Sequence, residues 1–167
     1  MMEFTCGYAS PLGGITLASD GKALTGLWFE GQKLFGAGLS GEHEERLLPV
    51  FGNACRWLDV YFSGQAPDFT VTLNLRGSDF ARAVWAELMR IPYGGTASYG
   101  EIARRVAEKT GRARASARAV GMAVGRNPVS LIVPCHRVVG ADGSLTGYAG
   151  GLWRKERLLK MERGEKR

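Results

Sequence analysis

SYGEIARRVAEKTGRARASARAVGMAVG, residues 98–125, is the stretch whose pattern decides the architecture. Ser98 followed three positions later by Glu101 is a capping box, in which each side chain satisfies a backbone N–H that the first helical turn leaves open. Ile102, Ala103 and Val106 then recur on one face of a helix that stops near Gly111. After a short basic turn, a further helix is expected from about Ala113 to Gly125. Ala115, Ala117, Ala119, Gly121 and Ala123 line it with small side chains that let its backbone come close to whatever it meets, and Arg114 and Arg118 lie one turn apart on the same face. Two short helices joined by a turn, the second basic and small-sided, have the outline of a helix-turn-helix; an ordinary helical hairpin shares that outline.

Upstream of it, Ser78 and Asp79 start a helix whose face carries Phe80, Val84, Leu88 and Ile91 and which Pro92, Gly94 and Gly95 end. The first part of the chain reads differently. Ile15–Ala18 and Leu24–Phe29 form a hairpin turned at Asp20-Gly21, and a polar, Gly-rich stretch follows from Gly36 to Glu45. Leu47, Phe51, Ala54, Leu58 and Tyr61 then recur at helical spacing until Ser63 and Gly64. Phe69, Val71, Leu73 and Leu75 alternate with polar residues, the pattern of a half-buried strand. This segment shows no catalytic cluster; Cys6, Cys55 and His43 read as packing or surface residues, and the segment as scaffold.

The whole chain has 167 residues, 45% hydrophobic and 23% charged, which excludes disordered and fibrous classes. No apolar run reaches the roughly 18 to 20 residues of a membrane helix, and Met1 to Phe4 lack the basic and apolar stretches of a secretory signal, so a cytoplasmic protein is expected. Three scattered cysteines encode neither a disulfide framework nor a zinc ribbon. The net charge of +6 is unevenly spread: residues 1–75 carry four basic and eight acidic side chains, residues 76–167 eighteen basic and eight acidic. The second part, at +10, projects a positive field suited to polyanions, nucleic acid first among them.

Chemistry concentrates beyond the third helix. Asn127 and Pro128 end it, and Val129–Val133 reads as a short apolar strand that delivers Cys135 to a pocket. A free thiol is only about 3% ionised at pH 7, so it needs a base or a positive surrounding. His136 is adjacent, yet neighbours in an extended segment point apart, so a turn or a bridging water is required for the two to cooperate. Thr146 to Gly151 is a glycine-rich loop in which Tyr148 can wall a flat pocket. On the final helix, Leu152 to Glu162, the last carboxylate lies on the apolar face, where it either orients the histidine or pairs with Arg163 or Lys166.

Arg118-Ala-Val-Gly121, Asn127-Pro-Val129, Ile132-Val-Pro-Cys-His-Arg-Val-Val139 and Gly147-Tyr-Ala-Gly-Gly-Leu152, followed by Lys155-Glu156 and Leu158-Leu159, resemble the O6-alkylguanine-DNA alkyltransferases. The resemblance runs from about Phe80 to Glu162 and is looser before that. It implies a two-domain α/β fold, with a small ribonuclease-H-like scaffold domain over 1–75 and a winged-helix-like, helix-turn-helix domain for DNA binding and alkyl transfer over 76–167. It further implies direct-reversal DNA repair in which O6-alkylguanine is flipped from the duplex and its alkyl group moves irreversibly to Cys135, once per molecule.

By the same resemblance His136 activates Cys135 through a water, Glu162 orients His136, Asn127 braces the turn, and Tyr99 assists the flipped base. Arg118 fills the space the base leaves, and Arg114, Ala119 and Gly121 join Tyr99 and Arg118 against the minor groove. The carbonyls of Cys135 and Val138 read the guanine, while Tyr148, Ala149 and Gly150 line the alkyl pocket. Ala149 stands where larger members often have serine, and the contact implied there is a backbone N–H. Arg105–Ala115 is longer than in several relatives, and Cys6, Cys55 and His43 make no four-ligand set, so neither metal nor cofactor is expected. The implied partner is double-stranded DNA, bound by a monomer that could load cooperatively, with no membrane. Two other readings remain at this point: an alkyltransferase-like protein that binds lesions without transferring, which would lack the cysteine, and a cysteine hydrolase or redox sensor, which would not need DNA.

Overall fold

The first hydrophobic alternations fold into a four-stranded sheet in the computed structural model, which describes residues 2–111 and 115–165. Strands β1 (Glu3–Ser10), β2 (Gly13–Ser19), β3 (Leu24–Phe29) and β4 (His43–Glu45) lie in the order β3-β2-β1-β4, antiparallel except for the parallel β1–β4 pair. The expected hairpin is β2–β3. Its turn places Gly21 at φ 109, which a side chain would resist, and Asp20 Oδ1 accepts from the N–H groups of Lys22 and Ala23 at 2.9 Å each. β1 and β4 fall outside the sequence reading, β4 within the stretch taken as polar loop.

Helix α1 (Pro49–Phe62) covers this sheet, starting with Pro at the first helical position, where a missing N–H costs nothing. Leu47, expected on its apolar face, lies ahead of the helix and is 88% exposed. Two expected strands are corrected. Phe69–Leu75 keeps its alternation of burial but makes only one bridge, Leu73 to Leu24. Val129–Val133 likewise bridges only through Val129 to Leu27, then turns at Leu131, whose φ is 70. The six-residue edge of β3 is shared between these two segments, so neither has the length to build a ladder. The second bridge fixes the segment leading to Cys135 to the first sheet: Leu27 N–H donates to Pro128 O at 2.9 Å and Ser130 N–H to Leu27 O at 3.1 Å.

The basic half packs α2 (Asp79–Leu88), α3 (Tyr99–Thr110) and α4 (Ala117–Gly125) pairwise against one another. Ser78 caps α2, and the capping box on α3 is complete, Ser98 Oγ accepting from Glu101 N–H and Glu101 Oε1 from Ser98 N–H, both at 3.1 Å. Gly111 ends α3 in the left-handed conformation at φ 69. α4 begins later than expected, because Ser116 Oγ accepts from Ala119 N–H and so caps it at Ala117; Arg112 to Arg114 lie outside the described residues. Its small inner residues let α2 approach closely enough for Trp85 Nε1 to donate to Ala123 O at 2.9 Å. A two-stranded parallel ladder, β5 (Ala97–Ser98) with β6 (Val138–Val139), and α5 (Leu152–Glu162) complete the unit. Among the described residues no helix is long and apolar enough to cross a membrane.

Candidate active site

Cys135 opens a single turn of 3-10 helix, Cys135–Arg137, directly after the strained passage at Leu131. The turn supplies what an extended Cys-His dipeptide lacks: both side chains are directed into the protein, Cys135 at 5% exposure and His136 at 0%. Asn127 holds the approach, its Nδ2 donating to Val133 O at 2.8 Å and its Oδ1 accepting from Val129 N–H at 3.0 Å. Burial pushes the Cys135 thiol up, and the nearby Asn127 amide, Lys155 ammonium and Ser130 hydroxyl only partly oppose this. The resting sulfur is therefore a protonated thiol.

Behind it lies a buried polar cluster. Burial pushes the His136 imidazole down, against the pull of Glu162, so the ring is neutral at pH 7. Its Nε2 is 2.6 Å from Glu162 Oε2, while Nδ1 is buried without a hydrogen-bond partner among the described residues. Arg137 grips the same carboxylate with Nε at 2.8 Å from Oε1 and Nη2 at 3.1 Å from Oε2, and Gly94 N–H donates to Oε1 at 3.3 Å. Burial alone would raise the Glu162 carboxyl, but hydrogen bonds and charge from His136 and then Arg137 outweigh it and hold the group at about 2. Lys155 is fully buried on the other side, its Nζ donating to Val138 O at 2.6 Å and to Gly147 O at 3.1 Å.

The depressed Glu162 carboxyl has a pH consequence. Its stabilising contribution is complete above the unfolded carboxyl value and disappears as pH falls through the folded one. The difference in melting temperature between wild type and Glu162→Gln is thus expected to be constant near neutrality and to close between 4.5 and about 2. An unchanged difference at the acid end would contradict an ionised Glu162.

In front of Cys135 is a pocket of about 560 Å³, lined by Tyr99, Gly121, Asn127, Ser130, Tyr148 and Ala149 among others. Tyr99 accepts a 3.1 Å hydrogen bond from Thr146 Oγ1, and its ring lies close against Gly121, where an added Cβ would meet it at 3.8 Å. Val138 and Gly150 are not part of the lining: each turns its carbonyl to a buried cation, Val138 to Lys155 and Gly150 to Arg154 Nη1 at 2.8 Å. On α4, Ala119 is half-buried and Arg118 exposed; Arg114 lies outside the described residues.

Residues 79–164 match the family described as 6-O-methylguanine DNA methyltransferase, DNA binding domain, and residues 6–75 match its ribonuclease-like domain. The chain belongs to the 6-O-methylguanine DNA methyltransferase family. The methylated-DNA–protein-cysteine methyltransferase of Mycobacterium tuberculosis is 47% identical over 154 residues, 92% of this chain and 88% of that one. The protein of the same name from Methanosarcina acetivorans is 46% identical over 156 residues, 93% and 95% of the two chains. The crystal structure of Mycobacterium tuberculosis OGT in complex with DNA superposes with a TM-score of 0.82 at 44% identity, covering 98% of this chain and 94% of that one.

In this methyltransferase-family chain the sequence reading missed what the first segment brings to the site. Lys33 and Leu34 reach the pocket wall, and Lys33 N–H donates to Ala149 O at 3.1 Å. Arg154 ties the glycine-rich loop to the sheet, donating to Leu12 O at 2.9 Å as well as to Gly150 O. Tyr61 of α1 donates to Glu162 Oε2 at 2.5 Å. Arg137 and Lys155 stood in the recognisable strings without an assigned role. Tyr61 carried no signal, being 101 residues from its partner in an otherwise ordinary amphipathic helix.

Proposed function

We propose that this protein repairs DNA by direct reversal, accepting the alkyl group of a flipped O6-alkylguanine on Cys135 Sγ once per molecule. The observation that carries this reading is the placement of the Cys135 thiol in the wall of a pocket of about 560 Å³, with His136 next to it and held by Glu162 at 2.6 Å. The proton of the thiol passes, through a water, to His136 Nδ1, and Glu162 balances the imidazolium that results. Sγ then attacks the sp3 carbon on O6: an S–C bond forms, the C–O bond breaks, and O6 leaves with the electron pair. Tyr99, at the pocket wall, is placed to assist protonation of the departing base. The product is a thioether without a carbonyl for water to attack, so the sulfur is not regenerated. This separates the chemistry from that of a cysteine hydrolase.

Extrusion of the base costs a few kcal/mol, least for a lesion that pairs badly. Arg118, exposed on α4, takes the vacated place in the stack, and the small faces of Ala119 and Gly121 let the helix sit in the minor groove. The +10 half supplies salt-sensitive, sequence-independent affinity to a monomer on duplex DNA.

The test is incubation with a duplex oligonucleotide bearing O6-methylguanine, followed by mass spectrometry of the digested protein. One added methyl on the Cys135 peptide, and no more than one lesion repaired per molecule, are expected. No adduct, or repeated turnover, would refute the proposal.

A further inference from the structure

We infer that Tyr61, on α1 of the first segment, is a positioning residue for alkyl transfer, its hydroxyl holding the Glu162 carboxylate so that His136 keeps its proton on Nε2 and leaves Nδ1 free to serve the thiol. This rests on the proposed role of His136 as the base.

The Tyr61 ring is fully buried, stacked on Trp57 at 5.2 Å and set edge-on to Phe62, Tyr93 and His136, so its hydroxyl has little freedom. That hydroxyl donates to Glu162 Oε2 at 2.5 Å and lies 3.3 Å from His136 Nε2. Burial, reinforced by the Glu162 charge, pushes the phenol well up, which keeps it a donor across the working pH range. With the phenolic proton committed to the carboxylate, every atom opposite Nε2 is an acceptor: Oε2 at 2.6 Å and the phenol oxygen. A bare lone pair on Nε2 would face both, so the ring proton is driven to Nε2 and withdrawn from Nδ1. The carboxylate is immobile as well, since Arg137 and Gly94 occupy its remaining positions. Without the hydroxyl, Oε2 loses one of its two shortest donors and Nε2 loses one of its two acceptors.

The charged and titratable groups around His136 come from every packed element: Glu162 and Lys155 on α5, Cys135 and Arg137 on its own turn, Tyr61 on α1, and Tyr93 after α2. Removing only the Tyr61 hydroxyl leaves all the others in place. The first segment thereby reaches the Glu162–His136 pair behind the thiol through a hydrogen bond made across 101 residues of sequence.

Tyr61→Phe in the full chain keeps the ring and deletes the hydroxyl. Methyl transfer from an O6-methylguanine duplex is expected to slow roughly tenfold, with duplex affinity unchanged. The 15N spectrum of His136 should change from one Nε2–H tautomer to a mixture, and the acid limb of the pH–rate profile should move. Trp57→Phe thins the same aromatic stack without touching the carboxylate; it should lower the melting temperature and leave the tautomer and pH profile alone. A Tyr61→Phe protein with wild-type rate and tautomer would overturn the inference. So would Trp57→Phe if it reproduced the tautomer change, because Tyr61 would then be packing only. His136→Gln at the wild-type rate would remove the base itself, and this inference with it; a slow His136→Gln beside an unaltered Tyr61→Phe would remove the inference alone.

Discussion

Replacing Cys135 with serine is expected to abolish alkyl transfer, slowing it at least about a thousandfold, while duplex affinity stays within about twofold of the wild type. An ordinary thiol is already only about 3% ionised at neutral pH, and burial of Cys135 lowers that fraction further. A serine hydroxyl is a far weaker acid, and the neutral His136 cannot ionise it to any useful extent. Oxygen is also the harder nucleophile toward an sp3 carbon. Binding is another matter, because Cys135 is 5% exposed at the back of the pocket and the exposed cations of the +10 half are untouched. Mass spectrometry of the adduct and fluorescence anisotropy on the same oligonucleotide check the two halves of the prediction. Loss of duplex binding by Cys135→Ser would contradict this separation of grip from chemistry.

Glu162→Gln is expected to damage both stability and rate. Among the described residues Glu162 is the carboxylate on which Arg137 Nε and Nη2 close, and Arg137 is itself buried, with Ile91 O at 2.8 Å and the Tyr93 ring at 5.7 Å as its other partners. An amide cannot accept that fork on both atoms, and one of its own N–H groups must point at a donor. Leaving a buried guanidinium without its counter-charge costs about 3 kcal/mol or more. For a chain of this size that lowers the melting temperature by roughly 6 to 12 °C. The transfer rate is expected to fall roughly a hundredfold, because the imidazolium formed during transfer loses the charge that balances it. Differential scanning calorimetry and single-turnover kinetics measure the two effects. A variant that melts with the wild type would show that Arg137 finds another counter-charge.

The local elements were legible where their signal is local. The Ser98–Glu101 box, the Ser78 cap, the Asp20-Gly21 turn and the α5 span each depend on residues within a few positions of one another, and each forms as read. The two misread strands show the limit: Phe69–Leu75 and Val129–Val133 have the composition of strands, but a strand needs a partner edge, and β3 offers each of them room for one bridge. α4 starts at Ala117 because the Ser116 hydroxyl caps it there.

The sequence by itself determined which thiol is at issue and the strings around it, since Asn127, Cys135 and His136 fall within ten residues of one another. It also determined the division of charge. Only the tertiary structure decided what surrounds those residues and holds them in place. Tyr61, Arg137, Lys155 and Arg154 act through hydrogen bonds to groups that folding brings close, Tyr61 across 101 residues and Arg154 across 142. Such contacts leave no periodicity in the chain, because a buried hydrogen bond is specified by where two elements pack and not by the pattern of either. The segment that reads as scaffold therefore supplies the hydroxyl against the Glu162 carboxylate and part of the pocket wall.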